Sequence, residues 1–171
     1  MFQVYKDGRV KRLRKTETVP PCDDPQLVVR SKDTPVSTLT SARIFLPQTA
    51  DPIAKIPQSN AVSVEYRKAP EYKLPIAYDD VWTAIKWVAL HAKRDGPEPW
   101  LNERADFDRV FLARDSARAN IAHNMIMKAS GASLDDLIRV RFVGLLLLNP
   151  YFMNHGHDEL VEFGHVCLPK P

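Results

Sequence analysis

The chain has 171 residues, 44% hydrophobic and 26% charged, with a formal net charge of +3, which supports one ordinary domain and gives no basis for a nucleic-acid partner. No apolar stretch is long enough to span a bilayer, and the opening residues lack the apolar core of a signal peptide, so a soluble cytoplasmic protein is expected. The two cysteines, Cys22 and Cys167, lie at opposite ends, which fits a reduced compartment and excludes a disulfide framework.

Phe2 to Tyr5, the Asp7-Gly8 turn signal and Val10 to Leu13 predict a short opening hairpin. The basic run Lys11-Arg12-Leu13-Arg14-Lys15 has no interleaved aromatics and reads as a solvated strand end. From Thr18 to Thr38 breakers dominate, so loop is expected, with one strand at Gln26 to Arg30. Ser41 to Leu46 is a strand that Pro47 ends, and Asn60 to Tyr66 is the next. Pro75 suits a first helical position, and Ala77, Val81, Ala84, Ile85, Val88 and Ala89 carry the helical period to about Lys93. Gly96 to Trp100 reads as a loop. Val110-Phe111-Leu112-Ala113 is too short for a helix and rich in strand formers. From Ala117 the residues favour helix, with Ile121, Ala122, Met125 and Ile126 on one face. Val140 to Leu148 is the most apolar strand, a run that suits a covered parallel sheet. Strands alternating with helices predict an α/β layer fold.

Ser116 therefore sits where a strand turns sharply into a helix. Arg114-Asp115-Ser116-Ala117-Arg118 occupies the frame of the nucleophile elbow, Gly-x-Ser-x-Gly, with arginines in place of both glycines. Together with Val64-Glu65-Tyr66-Arg67-Lys68-Ala69-Pro70-Glu71, Pro75-Ile76-Ala77-Tyr78-Asp79-Asp80 and Glu98-Pro99-Trp100-Leu101, this resembles the plant carboxylesterases of the hormone-sensitive-lipase-like branch, relatives of the gibberellin receptor. The likeness covers roughly residues 2 to 152. It implies a partial α/β-hydrolase domain over residues 1–152, a mostly parallel sheet flanked by helices, and an unmatched tail over residues 153–171. Between Pro57 and Gln58 relatives carry a strand, a His-Gly-Gly-Gly loop and a helix, so a central strand and the last strands are expected to be missing. The strands at Ala61 to Tyr66 and Arg109 to Ala113 must then pair directly or leave a hole.

The resemblance implies ester hydrolysis through Ser116, with the backbone N–H of Ala117 as one oxyanion donor and no cofactor. A serine esterase also needs a histidine base, a carboxylate that orients it, and further oxyanion donors. In relatives these come from the missing glycine loop and from loops beyond the end of this chain, so the chain is expected to be inactive. The alternatives are a catalytically inactive binding protein like the gibberellin receptor and a non-functional truncated product. The partner class is a small-molecule ester or ligand, with no nucleic acid and no membrane. His123 lies seven residues past Ser116, about 10 Å along a helix, too far to act as base. His155, His157, Asp158, His165 and Cys167 have metal-ligand chemistry but match no standard spacing, so no metal is expected. Asp79 and Asp80 are neighbours on a helix and point about 100° apart, which makes them packing residues rather than a catalytic pair. Trp82, Trp87 and Trp100 read as packing residues too.

Overall fold

The computed structural model describes residues 2–12, 18–48, 60–115, 117–131, 137 and 140–149. The chain opens on a hairpin of β1 (Phe2–Val4) and β2 (Val10–Arg12), paired antiparallel. Gly8 closes its turn at a φ of 83°, a left-handed conformation that a side chain would strain. The expected hairpin is therefore present.

A second sheet holds β3 (Val29–Pro35), β4 (Ser41–Pro47) and β5 (Ala61–Glu65) in that order, antiparallel throughout. β3 begins at Val29, near the end of the predicted strand, because a tight turn fixes its register: the amides of Val36 and Ser37 both donate to the Thr40 carbonyl. That register sets Asp33 opposite Arg43, whose guanidinium binds both carboxylate oxygens at 2.6 and 2.9 Å. β4 alternates strictly, with Ala42, Ile44 and Leu46 buried and their neighbours half-buried or exposed.

The first helix, α1 (Ile76–Leu90), begins just after Pro75 and buries Ala77, Asp80, Val81, Trp82, Ala84 and Trp87 along one face. A short 3₁₀ turn, His91–Lys93, extends it to the predicted end. The segment expected to be loop instead contains α2 (Pro99–Arg104). Pro99 fixes a helical φ at the first position, and the Glu98 side chain accepts from the Trp100 amide as N-cap. Buried Glu98 also receives Lys32 at 2.6 Å, and Lys32 and Arg30 of β3 both lie over the Trp100 ring.

β6 (Val110–Asp115) and β7 (Phe142–Leu148) form a third, two-stranded sheet. They are parallel, joined through α3 (Ala117–Gly131), which buries Ala119, Ile121, Ala122 and Met125. Hence the expectation of a mostly parallel sheet is corrected: among the described strands three pairings are antiparallel and one is parallel. The physical reason is connection length. The short turn between β3 and β4 can only reverse the chain, whereas a parallel neighbour needs a helical crossover.

Two apolar clusters join these layers. In one, Ala77, Val81 and Trp82 of α1 meet Ile121 and Met125 of α3, with Val64 and Tyr66 from β5 and its loop, and Leu112 of β6, packed against them. In the other, Ile44 of β4 meets Trp87, Leu101 and Phe107, with Val62 and Val140 alongside. Helices α1 and α3 thus lie over both sheets. Among the described residues β5 pairs with β4 alone and β6 with β7 alone, so the two strands expected to pair or leave a hole do not pair.

The Tyr78 hydroxyl donates to Asn120 Oδ1 at 2.7 Å and ties α1 to α3. Tyr78→Phe removes that half-buried link while keeping the ring, so a loss of about 1 kcal/mol in unfolding free energy is expected from chemical denaturation.

Candidate active site

The site is defined by the carboxyl ends of β6 and β7, where open α/β sheets hold their ligands. β6 ends at Asp115 and α3 begins at Ala117, so the sequence leaves one residue, Ser116, between strand and helix. Ser116 itself and the side chains of Ala117 and Arg118 lie outside the described residues. Ala117 opens α3, where the first backbone N–H groups have no partner within the helix.

Arg114 is half-buried within β6, opposite Leu147 of β7. It alternates with Val110 and Leu112 on the strand face that α3 covers. Asp115 points the other way and is exposed. Its carboxylate accepts a long 3.4 Å contact from Asn149 Nδ2, just past the end of β7. Asn149 adopts a φ of 44°, a left-handed conformation that asparagine tolerates better than most residues. Asn149 was not singled out in the sequence; an asparagine directly after an apolar strand and before Pro150 is the turn signal that could have found it.

Other sequence candidates fall away from this point. His123 is exposed on α3. Asp79 is exposed while Asp80 is buried, so the adjacent carboxylates do not share a site. Asp80 instead binds the Arg67 guanidinium at 2.7 and 3.0 Å and accepts from the Arg67 amide at 2.9 Å. The hydrogen bond from Arg67, outweighing burial, holds the Asp80 carboxyl below the usual range, and Thr40 adds a further hydrogen bond. Trp82 and Trp87 are core residues, and Trp100 is a platform for two cations. His155, His157, Asp158, His165 and Cys167 lie outside the described residues, and among the described residues no three His, Cys, Asp or Glu side chains converge as metal ligands. Among the described residues no helix is long and apolar enough to cross a membrane.

Three comparisons place this geometry. A family model described as alpha/beta hydrolase fold, Abhydrolase_3, matches residues 41–163, past the point at Phe152 where the sequence likeness was expected to end. Probable carboxylesterase 13 of Arabidopsis thaliana is 40% identical over 193 positions, covering 89% of this chain and 58% of its own length. Probable carboxylesterase 7 of the same plant is 38% identical over 204 positions, covering 99% of this chain and 64% of itself. Catharanthine synthase of Catharanthus roseus is 35% identical over 212 positions, with 99% and 63% covered. The chain therefore spans about three-fifths of the length of these relatives. Each alignment is longer than the 171 residues of the chain, so each relative carries residues within the matched region that this chain lacks. Among solved structures, a bacterial heroin esterase superposes with a TM-score of 0.53 at 19% identity, over 72% of this chain and 45% of that one. An arylesterase gives 0.51 at 21% identity, over 81% and 50%. At such identities the superpositions show the fold alone. Strand, helix and parallel strand, with the family match across them, put this chain in the α/β-hydrolase family, with plant carboxylesterases among the proteins it is similar to.

Proposed function

We propose that the chain is a carboxylesterase-type serine hydrolase by family that is inactive when taken alone, with Ser116 in the nucleophile position, the Ala117 amide as one oxyanion donor, and small-molecule carboxylic esters as the substrate class. The observation that carries this reading is the join itself: one residue, a serine, separates the end of a strand at Asp115 from the start of a helix at Ala117. That is the local geometry an α/β-hydrolase uses to expose a nucleophile. The names of the Arabidopsis relatives agree with esters as substrates. The hydrolase domain takes in residues 1–152 and, on the extent of the family match, residues up to 163. A cytoplasmic location and the lack of a nucleic-acid partner rest on the two distant cysteines and the small net charge.

Within this chain taken alone, no histidine or acid is assigned to Ser116. His123 is two helical turns beyond it, and Asp80 is committed to Arg67. Arg114 and Arg118 replace the glycines that let the backbone close the elbow. A hydroxyl without a base stays protonated and is a weak nucleophile. Hydrolysis of p-nitrophenyl acetate by the chain is thus expected to match that of its Ser116→Ala variant. A rate that Ser116→Ala abolishes would show that a base acts on Ser116 and would overturn the inactive reading, while leaving the nucleophile assignment standing.

A further inference from the structure

We propose that residues 19–24 form a strap that locks the outer edge of β3 and opens on its own while the sheet beneath it stays folded. The chain reverses just before β3, where Asp24 Oδ1 accepts from the Gln26 amide at 2.8 Å and the Asp24 carbonyl accepts from the Leu27 amide at 3.1 Å. That turn lays the preceding residues back along the strand. Ser31 lies opposite Phe45 in the β3–β4 ladder, and its amide donates outward, to the Cys22 carbonyl at 2.6 Å. The Cys22 amide donates in return to Ser31 Oγ at 3.2 Å. An arginine closes each end: Arg30 holds Asp23, and Arg43, reaching across from β4, is shared between the Asp33 carboxylate and the Val19 carbonyl, the latter at 2.6 Å.

A strand edge presents a row of amides and carbonyls to any other strand, and natural sheets cover such edges. The strap does so with a segment that is itself poor in donors, since Pro20 and Pro21 have no N–H and the Cys22 amide is already used. It is also weakly anchored. Residues 19–24 are all exposed, and among the described residues none of them belongs to either apolar cluster, so polar contacts at the surface hold the segment. The strand β4 differs, because Ile44 is wholly buried and β4 is paired on both sides. Segments with little buried apolar surface and exposed hydrogen bonds open at a small part of the cost of global unfolding. Arginines make both clasps, so salt that screens their charge favours the open form. Opening bares the Ser31 amide and closing covers it, which makes the strap a switch over access to the β3 edge.

Amide hydrogen exchange read by NMR tests this at Ser31, with Ala42 and Ile44 of β4 as references. Expected is a Ser31 amide that is protected, exchanges more than about tenfold faster than the reference amides, and responds weakly to denaturant because its opening exposes little surface. Raising salt from about 0.1 to 1 M should speed Ser31 alone. Arg43→Ala should raise the Ser31 rate about tenfold, the factor set by one hydrogen bond from a charged group. Asp23→Asn, an exposed change outside the β3–β4 ladder, should raise it less, and it serves if Arg43→Ala does not fold. A Ser31 amide that shares the rate and denaturant slope of the β4 amides overturns the proposal, since the strap then opens only with the whole fold. So does one that exchanges as fast as a free peptide, since no strap is then docked. A Ser31 rate that neither salt nor these variants change overturns it as well, because the arginine clasps then hold nothing.

Discussion

Replacing Asp80 with alanine is expected to lower the unfolding free energy by about 3–5 kcal/mol, read from chemical-denaturation midpoints. The magnitude follows from what remains. Asp80 is buried, its carboxylate takes three hydrogen bonds from Arg67, and the Arg67 side chain is only 25% exposed. Truncation therefore strands a largely covered guanidinium and one backbone N–H together. Those groups lie where the chain leaves β5 and turns toward α1, so the loss falls on the docking of α1 against the sheet. Asp80→Asn keeps the volume and one acceptor, and a smaller loss is expected from it.

The same pair gives a pH dependence with a definite sign. The folded-state pKa of Asp80 lies below its unfolded value, chiefly because Arg67 hydrogen-bonds the ionised form. Its contribution is thus fully present above the ordinary carboxylate pKa of about 4, and it is lost as pH falls through the folded value. The gap in stability between wild type and Asp80→Asn should be constant near neutrality and shrink below about pH 4. A gap that holds its size into acid would mean that the charge of Asp80 contributes nothing. Asp33 and Asp106 are shifted the same way by Arg43 and Arg109, but these pairs are exposed and screened, so they add little to the acid limb.

How much of this was legible in the sequence depends on the range over which each feature is specified. Period-two and period-3.6 patterns are local, and they found β4, β5, α1, β6, α3 and β7 to within a few residues. The helix α2 was missed because Gly96 and Pro97 read as breakers, while the Glu98-Pro99 start that nucleates it is a weaker signal. Strand partners were the larger failure. Alternation says which face of a strand is buried but not which strand lies beside it, so a mostly parallel sheet was expected where β3, β4 and β5 are antiparallel. The motif frame around Ser116 predicts a strand before it and a helix after it, and both are present, while Ser116 itself lies outside the described residues. The hydrogen bonds that fix the surroundings were not. Asp80 meets Arg67 across 13 residues and Tyr78 meets Asn120 across 42, distances over which no pattern names the partner.

The interior contact that the sequence hid most completely supports the second large prediction, that Gly96→Ala destabilises the fold by about 3 kcal/mol, toward the upper end for overpacking. A Cβ on Gly96 would lie 2.3 Å from His91 Cδ2 and 2.5 Å from Cγ, far inside contact distance, so one of the two groups must move. Neither is free to do so. His91 is completely buried, its Nδ1 lies 2.9 Å from the Trp87 carbonyl, and its Nε2 accepts from the Glu98 amide at 2.9 Å. The ring also meets Trp87 edge-on, with centroids 4.6 Å apart. Gly96 is held from the other side, because its amide donates to Asn102 Oδ1 and its carbonyl accepts from Asn102 Nδ2 at 2.7 Å. Moving the imidazole breaks bonds at the end of α1 and the start of α2, and moving the loop breaks the Asn102 clamp. The cause can be isolated with a double-mutant cycle. His91→Ala alone leaves a cavity and an unpaired Glu98 amide, so it costs stability by itself. In that background the added methyl on Gly96 has space, and Gly96→Ala should then cost far less than in wild type. Additive losses in the cycle would show that the clash with His91 is not the cause.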